Sequence, residues 1–324
     1  MKYYFSKYLI ISIAIVTGFC FLPVVANAFS VSESTIEHVI EPGKKVSGSF
    51  SVKNETDTPA TFDVTIGGVQ QSGEIGELIF FKSNDSFLES SWIVPQEKKL
   101  ILQPHEVRDF NYEISVPSNA ISGGHYLSML FSRTSSDAKA RVQTSGVPFY
   151  IRVPGSVHEE IKVLSFSTKP ADSFRRLPIS FETRIQNLGN VHVKPKGSIV
   201  VKNMFGKEVV AVPLNPDNFI ILPNSTRRFQ SIWTKTGDPA QEGDLSMIAS
   251  LKNEVRNFAF GRYTAEIRAE YGDGEQKITA KTTFWVVPRS LILAILAIIL
   301  ILVVASRVYS RYLIGSYIRK LNSR

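Results

Sequence analysis

The chain has 324 residues and a formal net charge of +8, with 37 Lys and Arg against 29 Asp and Glu. Lys2 and Lys7 fall in the first 28 residues, and Arg289, Arg307, Arg311, Arg319, Lys320 and Arg324 flank or follow an apolar segment near the C-terminus. Residues 29–288 hold the remaining 29 cations and every acidic group, so this stretch is neutral and carries no nucleic-acid footprint. The single cysteine, Cys20, lies in the first 28 residues, which excludes disulfides, thiolate metal sites and cysteine nucleophiles from the rest.

Residues 1–28 read as a signal peptide. A short basic stretch precedes the apolar run Leu9 to Val25, and Ala26-Asn27-Ala28 supplies the small-x-small cleavage pattern. The mature protein is therefore expected to begin at Phe29 and to lie outside the cytoplasm.

From there alternation with period two dominates, and no segment up to residue 288 shows a convincing helical stripe. Val46 to Asn54 places Val46, Gly48, Phe50 and Val52 on one face, and Ala60 to Gly67 turns Phe62, Val64 and Ile66 inward. Further strands are expected at 100–102, 110–116, 126–131 and 148–153. The Pro154-Gly155-Ser156 linker follows, and then a second set at 161–166, 179–186, 197–202, 208–212, 228–233, 263–270 and 277–287. Short strands punctuated by Pro, Gly and Asn predict an all-β chain of two tandem Ig-like antiparallel β-sandwiches, over 29–155 and 156–288.

The halves repeat each other. Pro104, Arg108 and Phe110 match Pro223, Arg227 and Phe229 in a P-x-x-x-R-x-F pattern, and Asn54 and Asn187 each end an early strand at a turn. Gly124-His125-Tyr126 parallels Gly261-Arg262-Tyr263, so Tyr126 and Tyr263 are read as structural anchors of the tyrosine-corner type.

Leu291 to Ala305 is an unbroken run of fifteen Leu, Ile, Val or Ala residues between Arg289 and Arg307. Twelve are Leu, Ile or Val, which favours membrane insertion by about 4 to 7 kcal/mol. The reading is a transmembrane helix over 289–308, with Trp285 and Tyr309 at headgroup level, and a basic tail over 309–324. From Arg307 to Arg324 there are five cations and no acid, which by the positive-inside rule makes the tail cytoplasmic and the N-terminus external. Lipid contact is expected through the span and this tail.

Enzymatic patterns are poor, and no cofactor, metal or catalytic residue is assigned. His38, His105, His125, His158 and His192 are scattered singly. Ser136-Asp137-Ala138-Lys139 fits S-x-x-K but sits in a polar segment expected to be a hairpin loop. Asp238, Glu242 and Asp244 lack regular calcium-loop spacing, and Asp273-Gly274-Glu275 reads as a tight hairpin turn. Asn54, Asn84 and Asn224 open glycosylation triplets that read as turn sequences.

Residues 67–91 exceed what a minimal sandwich needs and are read as a long loop, functional or packed on itself. If part of it is exposed, Phe80, Phe81 and Phe87, with Trp92 beyond, are the candidate partner-binding anchors, since aromatic residues dominate such contacts.

Ser91-Trp92-Ile93, the turn at Pro104, and Ile114-Ser115-Val116-Pro117-Ser118-Asn119-Ala120-Ile121-Ser122-Gly123-Gly124-His125-Tyr126 together resemble the first domain of WxL-interacting proteins. The Glu41-Pro42-Gly43 turn and the Phe50 to Asn54 strand fit as well. The second half, with Asn187 to His192 and Thr283-Phe284-Trp285, matches that family in outline. The resemblance implies a Gram-positive surface protein with a peptidoglycan-binding sandwich, a second sandwich associated with host binding, one C-terminal span and a basic tail. The expected function is a non-enzymatic, membrane-anchored surface protein that binds cell-wall peptidoglycan, a protein partner, or both. The alternative is an accessory subunit or assembly factor that holds another exported chain at a sheet edge.

Overall fold

The computed structural model describes residues 29–82, 88–134, 144–169, 174–235 and 247–322. The signal peptide, Phe87, Asn84, the S-x-x-K match and the Asp238/Glu242/Asp244 loop lie outside the described residues. The chain divides into two units, one of residues 29–69, 80–121 and 125–154, the other of 70–79, 122–124 and everything from 155 onward.

In the first unit the alternating segments form β1 (Phe29–Val31), β2 (Ile36–Val39), β3 (Lys45–Asn54), β4 (Ala60–Ser72), β5 (Glu77–Lys82), β6 (Ile93–Pro95), β7 (Lys99–Leu102), β8 (Val107–Ser115), β9 (Gly123–Arg133) and β10 (Thr144–Val153). One sheet runs β1-β3-β8-β6 and the other β2-β10-β9-β4-β5, with β7 also paired to β4. Their facing side chains make the core: Phe50 and Val52 from β3, Phe110 and Ile114 from β8, Met129 and Phe131 from β9, and Phe149 from β10. The rings interlock, with Phe110 and Phe131 centred 5.4 Å apart at 81°. Each such buried side chain stabilises the fold by ~1.5–3 kcal/mol.

The second unit repeats the plan with β11 (Ile161–Lys169), β12 (Phe174–Arg175), β13 (Ile179–Asn187), β14 (Lys196–Lys202), β15 (Glu208–Pro213), β16 (Thr226–Trp233), β17 (Gly261–Tyr271) and β18 (Gln276–Val286). Its sheets are β11-β13-β16 and β12-β18-β17-β14-β15. The β3–β8 pair corresponds to β13–β16, and β10-β9-β4 to β18-β17-β14. Residues 70–79 cluster here, where Glu74 takes the Arg184 guanidinium in a two-pronged ion pair, with Nε to Oε2 at 2.8 Å.

The all-β class is observed, and so is a long apolar C-terminal helix. Four expectations change in detail. First, each sandwich contains one parallel pairing, β2 with β10 and β12 with β18. The opening segment of each unit lies first on one sheet and then on the other, so its second half meets the last strand in the same direction. Second, within the stretch read as a loop over 67–91, residues 67–82 form a β4–β5 hairpin through Ser72 and Glu77. Third, a ten-residue helix, α1 (Met247–Arg256), interrupts the second unit where no helical stripe was read. Fourth, the terminal helix, α2 (Arg289–Asn322), continues through the basic tail, and residues 289–314 of it are long and apolar enough to cross a membrane.

The internal repeat is deepest at the two asparagines, both fully buried. Asn54 Nδ2 donates to the carbonyls of Thr58 and Gln103, at 2.8 and 3.0 Å, while its Oδ1 accepts from the Thr56 N–H. Asn187 Nδ2 donates to Val191 and Ile221, at 2.8 and 2.9 Å, and its Oδ1 accepts from Gly189 N–H. Their own N–H groups donate to Glu106 and Ser225, each two residues past the proline of the P-x-x-x-R-x-F pattern. Since Asn54 is buried, its glycosylation triplet is a turn. Each of these hydrogen bonds contributes ~0.5–1.5 kcal/mol. Asn54→Ala should therefore lower the melting temperature of the first unit, and Asn187→Ala that of the second, by roughly 5–10 °C. Differential scanning calorimetry of the single variants reads both shifts.

Candidate functional site

Three places collect chemistry or exposed apolar surface. The first is β5. Gly67 and Gly68 let it fold close over β4: a Cβ at Gly67 would strike the Phe81 carbonyl, and one at Gly68 would overlap the Phe81 ring. The Phe80 ring sits against Gly146, beside Leu130, which is buried although it stands outside the core cluster. Phe80 is thus half-buried as packing, whereas Phe81 stays 40% exposed with Ile79 nearby. Trp92 closes a 3-10 turn at Leu88–Trp92 and is only 6% exposed, inside the first core. Of the four candidate anchors, Phe81 is the described one that presents a large apolar surface.

The second place is His125, whose ring centre lies 4.5 Å from that of Trp92. Its Nδ1 meets the Glu89 carboxylate at 2.7 Å and its Nε2 the Ile121 carbonyl at 2.8 Å. Both partners are acceptors, an arrangement that favours the protonated ring, which donates from both nitrogens. Burial opposes that charge, yet the hydrogen bonds to Glu89 and Ile121 and the Glu89 charge outweigh it and raise the pKa above the ordinary value. The ring occupies the place that Tyr263 fills in the second unit, two residues after a glycine of positive φ (Gly123, Gly261). Tyr263 is buried against Trp233 at 5.2 Å and its oxygen bonds the Phe260 backbone. Tyr126, one residue further on, sits outside the core beside Tyr150, with ring centres 5.4 Å apart. The G-x-Y match between the halves is therefore out of register by one residue.

The third place is where α2 leaves β18. The free N–H groups of Ser290 and Leu291 donate to the two Glu254 carboxylate oxygens, at 3.2 and 2.8 Å. Glu254 belongs to α1, its side chain is 1% exposed, and Arg176 lies 4.0 Å away. A carboxylate at a helix N-terminus satisfies orphan donors and faces the positive end of the helix dipole. α1 is itself held by polar groups, with Asn253 Nδ2 donating to the Leu177 carbonyl and Asn257 Nδ2 to Asn253 Oδ1. Buried Ser250 joins these on the inward side. An inward stripe of Ser, Asn and Glu is invisible to a search for apolar periodicity, which is why the helix escaped notice in the sequence.

Among the described residues no group of three or more His, Cys, Asp or Glu could hold a metal ion. The Asp273-Gly274-Glu275 segment lies in the four-residue β17–β18 turn that begins at Gly272, with positive φ at Gly272 and Glu275.

No protein-family model matches the chain, and no curated protein matches it either. Among solved structures it is similar to the class 5 fimbriae chaperone CfaA, with 12% identity over 78% of this chain and 98% of that one, at a TM-score of 0.37. It is similar also to the CsuC-CsuE chaperone-tip adhesion subunit pre-assembly complex from the archaic chaperone-usher Csu pili of Acinetobacter baumannii, with 12% identity over 79% and 98% and a TM-score of 0.34. The Pseudomonas aeruginosa CupB2 chaperone is a third, with 10% identity over 78% and 98% and a TM-score of 0.33.

Because the His125 pKa is higher folded than unfolded, its contribution to stability is complete below about pH 6.5 and fades as pH rises through the folded value. His125→Gln should flatten that decline, as measured by urea midpoints across pH 5 to 9. Glu254→Ala should cost about 1–2 kcal/mol at the helix start, so the Ser290 and Leu291 amides should exchange roughly tenfold faster. Hydrogen exchange in detergent resolves this, with β18 amides as the unaffected reference.

Proposed function

We propose that the chain is a non-enzymatic, membrane-anchored surface protein whose two sandwiches bind a partner outside the cell. The observation that carries this reading is the junction of β18 with α2. The last strand of a sandwich runs within three residues into a helix of membrane-spanning length, fastened by Glu254. A binding fold so tethered holds its surfaces at a bilayer, and the cations after Arg307 orient the tail to the cytoplasm and the sandwiches outward. The resemblance to WxL-interacting proteins supports peptidoglycan, or a wall-associated protein, as the ligand.

A second reading, capture of another exported chain by strand addition, is favoured by β5. This is an edge strand of its sheet, and its Ile79 and Phe81 side chains are exposed. Sedimentation of the detergent-solubilised protein with purified cell walls tests the first reading, and recovery of a stoichiometric membrane partner from the same extract tests the second. Phe81→Asp should reduce whichever binding is found at least tenfold, with an unchanged circular dichroism spectrum. Full binding by Phe81→Asp would remove β5 from the contact.

A further inference from the structure

One end of the second unit carries apolar side chains that the fold leaves uncovered. Gly261 pairs with Val286 and Arg262 with Trp285, so the start of β17 and the end of β18 lie together, three residues before α2 begins. The β14–β15 turn is at the same end, since Lys202 pairs with Thr264 and the Met204 side chain reaches Gly261. At the tip of that turn Phe205 is 86% exposed. Its conformation is set by Asn203, whose Oδ1 accepts from the N–H groups of Phe205 and Lys207. Phe258 and Phe260, leading into β17, are exposed as well, and so is Trp285.

The helix α1 shows the same inversion. Its inward side carries Ser250, Asn253 and Glu254, whereas Ile248, 79% exposed, and Val255 point outward with Lys252 and Arg256. In water this arrangement leaves apolar groups wet and places polar groups inside, the reverse of a soluble amphipathic helix. At a bilayer surface it is the favoured orientation: apolar side chains enter the acyl boundary and the cations meet lipid phosphates. A patch of this kind marks a contact surface. Continuity decides its occupant, because Glu254 of α1 bonds the first amides of α2.

We infer that this end of the second unit is seated in the interfacial layer of the same bilayer that α2 crosses. Phe205, Phe258, Phe260 and the outward face of α1 insert roughly 5–10 Å into the headgroup and acyl boundary. The inference rests on the reading of α2 as a span, and it adds a second, peripheral contact that would restrict how the sandwich tilts over the membrane.

The test uses the full chain with Cys20→Ser, one copy per nanodisc of phosphatidylcholine and phosphatidylglycerol. Nitroxide labels are placed at Phe205→Cys, Ile248→Cys and Phe258→Cys, with Leu300→Cys as the span reference and Val94→Cys as the aqueous one. The expected result is that dissolved oxygen relaxes the three rim labels more strongly than an aqueous nickel chelate does, as at Leu300, with the opposite order at Val94. Rim labels that behave like Val94 while Leu300 reports lipid would overturn the inference and leave the span intact. Labels shielded from both reagents would show a protein cover and overturn it too. A Leu300 label open to the chelate would refute the span itself, and the seating with it. In the unsubstituted protein, brominated lipids should quench Trp285 but spare the buried Trp92 and Trp233; absence of any quenching would count against the inference independently of the variants.

Discussion

Each sandwich depends on how the chain is held where β3 or β13 ends and turns back across the core. At that point backbone carbonyls outside the long strands face inward, and an unpaired buried carbonyl is costly. Asn54 and Asn187 answer this with one side chain apiece, whose amide donates to a carbonyl four residues on and to another just before the next core strand. Two segments far apart in sequence are thereby locked to one turn, which sets the register of β3 against β8 and of β13 against β16. Without cysteine in residues 29–324, such hydrogen bonds and the apolar cores do the work that disulfides do in many exported domains.

The polar network of α1 applies the same physics to a different end. Asn253, Glu254 and Asn257 sit inward because each meets backbone groups that the fold would otherwise leave unsatisfied. The Glu254 contacts to Ser290 and Leu291 bring a full negative charge to the positive end of α2. The departure of α2 from β18 is thus held by charge and hydrogen bonding beside the buried Val286 and Pro288. This division leaves the apolar residues of α1 on the surface, and it ties the start of the terminal helix to the second sandwich.

Much of this was legible from residue order, and the failures have identifiable causes. Period-two alternation located the core strands because inward positions such as Phe50, Phe110, Ile199 and Ile267 must be apolar whatever the neighbours are. The P-x-x-x-R-x-F pattern located the repeat because Phe110 and Phe229 enter equivalent core positions. The G-x-Y pattern misled, since Tyr126 is out of phase with Tyr263 and the equivalent place is held by a histidine bonded to Glu89. Residues 67–91 read as a loop because they exceed what a minimal sandwich needs, whereas Gly67 and Gly68 allow the close approach of Phe81 in a β4–β5 hairpin.

Local chemistry alone determined the all-β class, the two-fold repeat, the absence of thiol chemistry beyond Cys20, and a terminal apolar segment of spanning length. Those features follow from what each residue can bury, and burial preference is a property of the side chain itself. Tertiary structure decided which residues share a site: that Trp92 lies under His125 and Phe81 over Gly68, and that a carboxylate from α1 meets the first amides of α2. Such pairings join residues tens of positions apart, and no local pattern records which distant backbone group a polar side chain will satisfy.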